Sequence, residues 1–180
     1  MSALTNEKTY TINDIMQFPE DVRIELADGQ IYNMAPPSRI HQKLSGVLFN
    51  TIFSHISAEE KDCEIYAAPF GVFLDDLNYF EPDLSVICDR SRLSDRGCEG
   101  APDWIIEIVS PSTQHMDYMI KLLKYRSAGV HLYWIVNPAT KTVSVYDFQN
   151  SQTAQFSFSD YITVSLCESF TIRFDDLDLT

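Results

Sequence analysis

Apolar and polar positions along this chain switch repeatedly between alternating and helical spacing, and the switches mark out its elements. Thr11 and Asp14 are spaced as a capping box and predict a short helix within 10–18, ending near Pro19. Arg23 to Met34 alternates about Asp28-Gly29, the signature of a hairpin. Ser38 can cap a helix over 38–57, whose stripe is Leu44, Leu48, Ile52 and Ile56, joined by Phe49 and Phe53. Glu64 to Leu74 is rich in aromatic and β-branched residues and predicts one strand. Asp75 to Asn78 then turn the chain into a strand holding Asp83, a meander. Gly97, Gly100 and Pro102 mark a loop before the apolar run Trp104 to Val109, which has the look of a central strand. A helix over 112–128 follows, capped by Ser112 or Thr113 and ended by Gly129, with Met116, Met119, Ile120 and Leu123 as its buried side. His131 to Val136 and Thr142 to Phe148 predict a second hairpin, and Tyr161 to Leu166 and Phe170 to Phe174 two short strands. The expected fold is α/β (or α+β): a mixed, mostly antiparallel central sheet flanked by the helices at 38–57 and 112–128. The length of 180 residues suits a single domain over 1–180.

Three ionisable groups interrupt this pattern: Asp83, Glu107 and Lys121. Glu107 is the sharpest, because it sits inside Trp104-Ile105-Ile106-Glu107-Ile108-Val109, where an unpaired ionised carboxylate would cost several kcal/mol or take up a proton. Alternation puts Ile105, Glu107 and Val109 on one strand face, and Asp83, Ser85 and Ile87 on one face of the other strand. If those strands pair with these faces together, the carboxylates meet and form an oxygen cage suited to Mg²⁺ or Mn²⁺. A nearby ammonium could then orient water or offset charge developing on phosphorus.

The run EPDLSVI, GAPDWIIEIVSPST, DYMIKLLKYRSAGVHLYWIVNP resembles the Uma family of putative restriction endonucleases, within the PD-(D/E)XK nuclease superfamily. The resemblance extends upstream to IELADGQIYNMAPPSRIHQKL and covers most of residues 23–148. It implies a restriction-endonuclease-like fold with Asp83 and Glu107 as metal ligands. The E-x-K spacing would put a lysine at position 109, but Val109 stands there. The resemblance therefore implies that the lysine has moved to the next helix as Lys121, with Asp117 one turn before it and Tyr125 one turn after; Lys124 is the alternative. Glu25 before the Asp28-Gly29 turn, and His41 beside Gln42, are supporting positions on the same ground. Cutting both strands of a duplex with one site per chain would call for a homodimer.

Charge works against this reading. The net charge of −13 is unlike the basic surface expected of a DNA binder. Two groups of cations, Arg90, Arg92 and Arg96, and Lys121, Lys124 and Arg126, could still form a local positive rim or simply be solvated. Cys63, Cys88, Cys98 and Cys167 lack C-x-x-C spacing, so reduced thiols in a cytoplasmic protein are expected and a zinc site is not. No signal segment or long apolar run predicts membrane contact. Two rivals stay open beside a metal-dependent DNA endonuclease. One is an inactive nuclease-fold module kept for binding or dimerisation. The other is a metal-independent hydrolase using Asp83 and Glu107 as acid and base.

Overall fold

The computed structural model describes residues 8–19, 22–60, 62–110, 114–166 and 170–179. Helix α1 (Ile12–Ile15) has the expected Thr11–Asp14 capping box, and β1 (Ile24–Ala27) and β2 (Gln30–Asn33) form the expected hairpin. Helix α2 (Arg39–Ala58) begins at Ser38, whose hydroxyl accepts the His41 amide hydrogen bond. Leu44, Leu48, Ile52 and Ile56 are its buried stripe, but Phe53 turns outward.

The stretch expected to be a single strand, Glu64 to Leu74, is two. β3 (Glu64–Ala67) and β4 (Gly71–Asp75) flank Pro69 and lie in different sheets. Proline has no amide hydrogen for the ladder, so the chain leaves one sheet there and enters the other. β5 (Asn78–Phe80), β6 (Leu84–Ile87), the short β7 (Leu93–Ser94) and β8 (Gly97–Glu99) follow, then β9 (Trp104–Ile108). Helix α3 (Leu122–Ala128) is entered through a π-helical turn at Met116–Lys121 and ends at Gly129, φ 92°. The proposed caps Ser112 and Thr113 lie outside the described residues. β10 (Leu132–Asn137), β11 (Thr142–Asp147), β12 (Gln152–Ser157), β13 (Ile162–Thr163) and β14 (Thr171–Ile172) complete the chain.

The strands form two six-stranded, mostly antiparallel sheets, in the orders β2-β1-β5-β4-β8-β7 and β12-β11-β10-β9-β6-β3, with β13 and β14 paired separately. The second sheet has a core on each face. Leu84, Val86, Trp104, Ile106, Ile108 and Trp134 pack with the buried stripe of α2. On the other face Ile105, Val109, Tyr133 and Ile135 meet Tyr125 of α3 together with Phe80 and Ala27 from the first sheet. β9 is central, antiparallel to β6 and parallel to β10, and the helix between β9 and β10 provides the crossover. Glu107 therefore lies where two sheets and a helix converge.

Two further expectations are corrected. The buried side of the helix expected over 112–128 is Asp117, Lys121 and Tyr125, whereas Met119 and Leu123 are 55% and 61% exposed. The π-helical turn, with its i to i+5 spacing, breaks the 3.6-residue period and rotates the polar stripe inward. Nor are all the cysteines reduced. Antiparallel pairing sets Glu64 opposite Ile87, so the next position brings Cys63 onto Cys88, and the two form a disulfide. Cys98 is free and buried, and Cys167 lies outside the described residues. Since the disulfide spans 25 residues, its reduction is expected to lower stability by about 2–4 kcal/mol, read as a lower denaturant midpoint in reductant.

Candidate active site

Pairing of β6 with β9 sets Ser85 opposite Ile105 and Leu84 opposite Ile106, which places Asp83 opposite Glu107 just beyond the last registered pair. The carboxylates thus meet across neighbouring strands, the arrangement that alternation allowed if the two faces paired together. The Asp83 amide donates to Glu107 Oε2 at 3.4 Å, and the Ile108 amide donates to Asp83 Oδ2 at 2.7 Å. Each acidic residue is fixed by the backbone of the other's strand.

The other predicted residues converge from separate elements. Lys121 Nζ lies 2.8 Å from Glu107 Oε1, 2.8 Å from Glu25 Oε1 and 3.8 Å from Asp117 Oδ1, with only 4% of the residue exposed. Tyr125 donates its hydroxyl to Glu107 Oε1 at 3.0 Å. His41, in the first turn of α2, brings Nε2 to 3.0 Å from Asp83 Oδ2. Glu25, from β1, also accepts from the Glu81 amide at 3.1 Å. Lys124, the alternative lysine, turns away to pair with Asp28. All the predicted site residues are brought together, and all but Tyr125 line one cleft of about 310 Å³.

The same cleft holds residues that the sequence did not single out, Arg23 and Glu81. They pair at 2.5 Å, and Glu81 also accepts from the Tyr79 hydroxyl at 3.0 Å. Glu81 stands two positions before Asp83, and that alternation was the available signal. Asp103 has a structural role: it accepts the Cys88 amide at 2.7 Å and lies 3.3 Å from His131. Ser110 also lines the cleft.

The electrostatics are those of an acidic cavity around one buried cation. Glu25, Glu81, Asp83, Glu107 and Asp117 face Arg23 and Lys121, five carboxylates against two fixed cations. Burial pushes the Glu107 carboxyl well up, against the opposing pull of the Lys121 charge, and the charges of Asp117, Asp83 and Glu25 push it further. Burial alone would lower the Lys121 ammonium, but Glu107, Glu25 and Asp117 together hold it well above the usual lysine range. Lys121 is thus charged, and the surplus of negative charge falls on the carboxylates around it.

His41 gives a pH prediction. Burial lowers its pKa, but the hydrogen bond and charge of Asp83, with the charge of Asp117, outweigh this and raise it above 6.5. A raised histidine stabilises the folded state fully below its unfolded value near 6.5, and the contribution fades as pH climbs through the folded value. A ring-proton NMR titration should place His41 above 6.5, and Asp83→Asn should bring it down.

Of the two readings left open for the loop arginines, a positive rim or solvated charges, their pairing does not favour the rim. Arg90 pairs with Glu64 at 2.7 Å, Arg92 with Asp89 at 3.3 Å and Arg96 with Glu99 at 2.7 Å. Among the described residues, no group of three or more His, Cys, Asp or Glu is gathered closely enough to hold a metal by itself. No described helix is long and apolar enough to cross a membrane.

Comparison with known proteins bears on the fold and on the family. The fold matches the crystal structure of a putative nuclease of the DUF820 group from Anabaena variabilis with a TM-score of 0.77, over 92% of this chain and 96% of that one, at 23% identity. An uncharacterised protein of Synechocystis sp. is 31% identical over 125 residues, 68% of this chain, and the match spans 64% of that relative's length. The family model for Uma2, described as a putative restriction endonuclease, matches residues 11–179. With nearly the whole chain matched, the protein belongs to the Uma2 family of putative restriction endonucleases.

Proposed function

We propose that this chain is a divalent-cation-dependent endonuclease of the PD-(D/E)XK type that hydrolyses phosphodiester bonds in DNA. The observation that carries the reading is the cross-strand meeting of Asp83 and Glu107 in an open cleft, with a charged Lys121 2.8 Å from Glu107. Mg²⁺ suits such a site, because it takes one or two carboxylates and keeps water or substrate phosphate for the rest of its shell. The excess of carboxylates over cations in the cleft favours it further. Asp83 and Glu107 would hold Mg²⁺ or Mn²⁺, which would supply charge stabilisation at the scissile phosphate.

The chain's own residues have separable roles in this reading. Glu25, Asp117 and Tyr125 keep Lys121 and Glu107 in place. Lys121 keeps a positive charge beside the reacting region, where it can orient a water or offset charge on the phosphoryl oxygens. His41, beside Asp83, lines the cleft and can hold a proton near the leaving or attacking oxygen. Double-strand cleavage would require two such sites and hence a homodimer.

A second reading, an inert binding or dimerisation module, is favoured by the 4% exposure of Lys121 and by the paired loop arginines. Supercoiled and single-stranded DNA incubated with Mg²⁺ or Mn²⁺ separate the alternatives. The nuclease nicks or linearises DNA and stops on addition of EDTA. Cleavage unaffected by EDTA would favour acid–base hydrolysis, and no cleavage with either cation would favour the inert module.

A further inference from the structure

We propose that Tyr125 is a positioning residue that, together with Lys121, makes Glu107 a one-oxygen ligand and so sets a preference for Mg²⁺ over Ca²⁺. The inference rests on the cation-dependent reading of the cleft and extends it to specificity. Glu107 Oε1 receives two donors, the Tyr125 hydroxyl at 3.0 Å and Lys121 Nζ at 2.8 Å. Both donors are buried, Tyr125 at 0% and Lys121 at 4% exposure, so water does not readily replace them. Oε2 instead points to Asp83, whose amide reaches it only at 3.4 Å. Asp83 is divided the same way, with Oδ2 taken by the Ile108 amide at 2.7 Å and by His41 at 3.0 Å.

Each carboxylate therefore keeps one less committed oxygen. Chelation of an ion by both oxygens of Glu107 would break two buried hydrogen bonds, one of them to a charged donor. Ca²⁺ gathers about six to eight oxygens and commonly uses both oxygens of a carboxylate, whereas Mg²⁺ is satisfied by single oxygens in an octahedron completed by water. The clamp on Oε1 withholds what the larger ion needs and leaves what the smaller one uses. Packing supports the clamp: the Tyr125 ring meets Phe80 and Tyr133 edge-on at 5.4 and 5.0 Å, which fixes where its hydroxyl points.

The test is calorimetric titration of Mg²⁺ and of Ca²⁺ into wild type, Tyr125→Phe and Tyr133→Phe. Tyr133 is the control, a buried tyrosine of the same core whose hydroxyl goes to the Asp117 main-chain oxygen at 3.0 Å and not to Glu107. Loss of a partner behind a metal ligand typically weakens binding by about 10–100-fold. Tyr125→Phe is expected to weaken Mg²⁺ about tenfold while Ca²⁺ is unchanged or tighter, and Tyr133→Phe to leave the ratio as in wild type. An unchanged ratio in Tyr125→Phe overturns the inference and leaves the nuclease reading standing, whereas a wild type that binds neither ion overturns that reading itself. A measurement on the Mg²⁺-loaded wild type guards against a poorly folded variant. The infrared carboxylate bands of Glu107, isolated by difference from Glu107→Gln, should show the wide splitting of one-oxygen ligation, and a narrow chelate splitting would refute the proposal.

Discussion

Lys121→Ala is expected to destabilise the protein by about 3–5 kcal/mol, the usual consequence of removing one member of a buried ion pair. Its ammonium faces Glu25, Glu107 and Asp117, all of them almost fully buried, and alanine would leave their charges without compensation. The pH dependence follows from Glu107, whose carboxyl is already raised above 4.5 and would rise further. A group that binds its proton more tightly when folded loses stability as pH rises above its unfolded value. The deficit should therefore be smallest near pH 4.5 and largest at neutral pH, and adding Glu107→Gln should recover part of it. Denaturant melts of the two variants at both pH values check this. An unaltered midpoint for Lys121→Ala at neutral pH would mean that the lysine is not held as described. The prediction also cautions against reading lost activity in this variant as lost catalysis alone.

Glu107→Gln should have the opposite profile, with cleavage reduced at least about a hundredfold and stability nearly kept. The amide has the same shape. Its oxygen can still accept from Lys121 and Tyr125, while its nitrogen takes the place of Oε2, gives up the long 3.4 Å bond from the Asp83 amide and offers a cation no negative oxygen. Removing a carboxylate that burial already disfavours offsets what is lost in charge pairing with Lys121, which keeps Glu25 at 2.8 Å. Steady-state cleavage rates beside thermal melts separate the two effects. A variant that melts like wild type and cleaves as fast would remove Glu107 from the mechanism.

How far the chain could be read in advance depended on whether local pattern or tertiary register decided each feature. Glu107 was legible because a carboxylate inside an apolar run needs a partner, and the alternation about Asp83 allowed it to be that partner if the two strand faces paired together. The Asp28-Gly29 hairpin and the α2 stripe were legible for the same local reasons. The burial of Asp117, Lys121 and Tyr125 was not, since Met119 and Leu123 fit a regular helix better and only the π-helical turn turns the polar stripe inward. The Cys63–Cys88 bond depends on the β3–β6 register, which no spacing rule contains. β12 escaped notice because Gln152 to Ser157 is mostly polar and exposed, an edge strand without an apolar alternation to reveal it. Arg23 and Glu81 needed the cleft itself to be seen as a pair.

The most direct test of the account is cleavage of supercoiled DNA with Mg²⁺ by wild type and Asp83→Asn, purified in parallel. Asp83 lies beside Glu107 at the cleft but is not among the partners of Lys121, so its neutralisation strikes the cation site and spares the buried ion cluster. The account predicts nicked and linear products with wild type and none with Asp83→Asn at equal folded concentration. Equal cleavage by both would contradict it and assign the activity to another site or another protein.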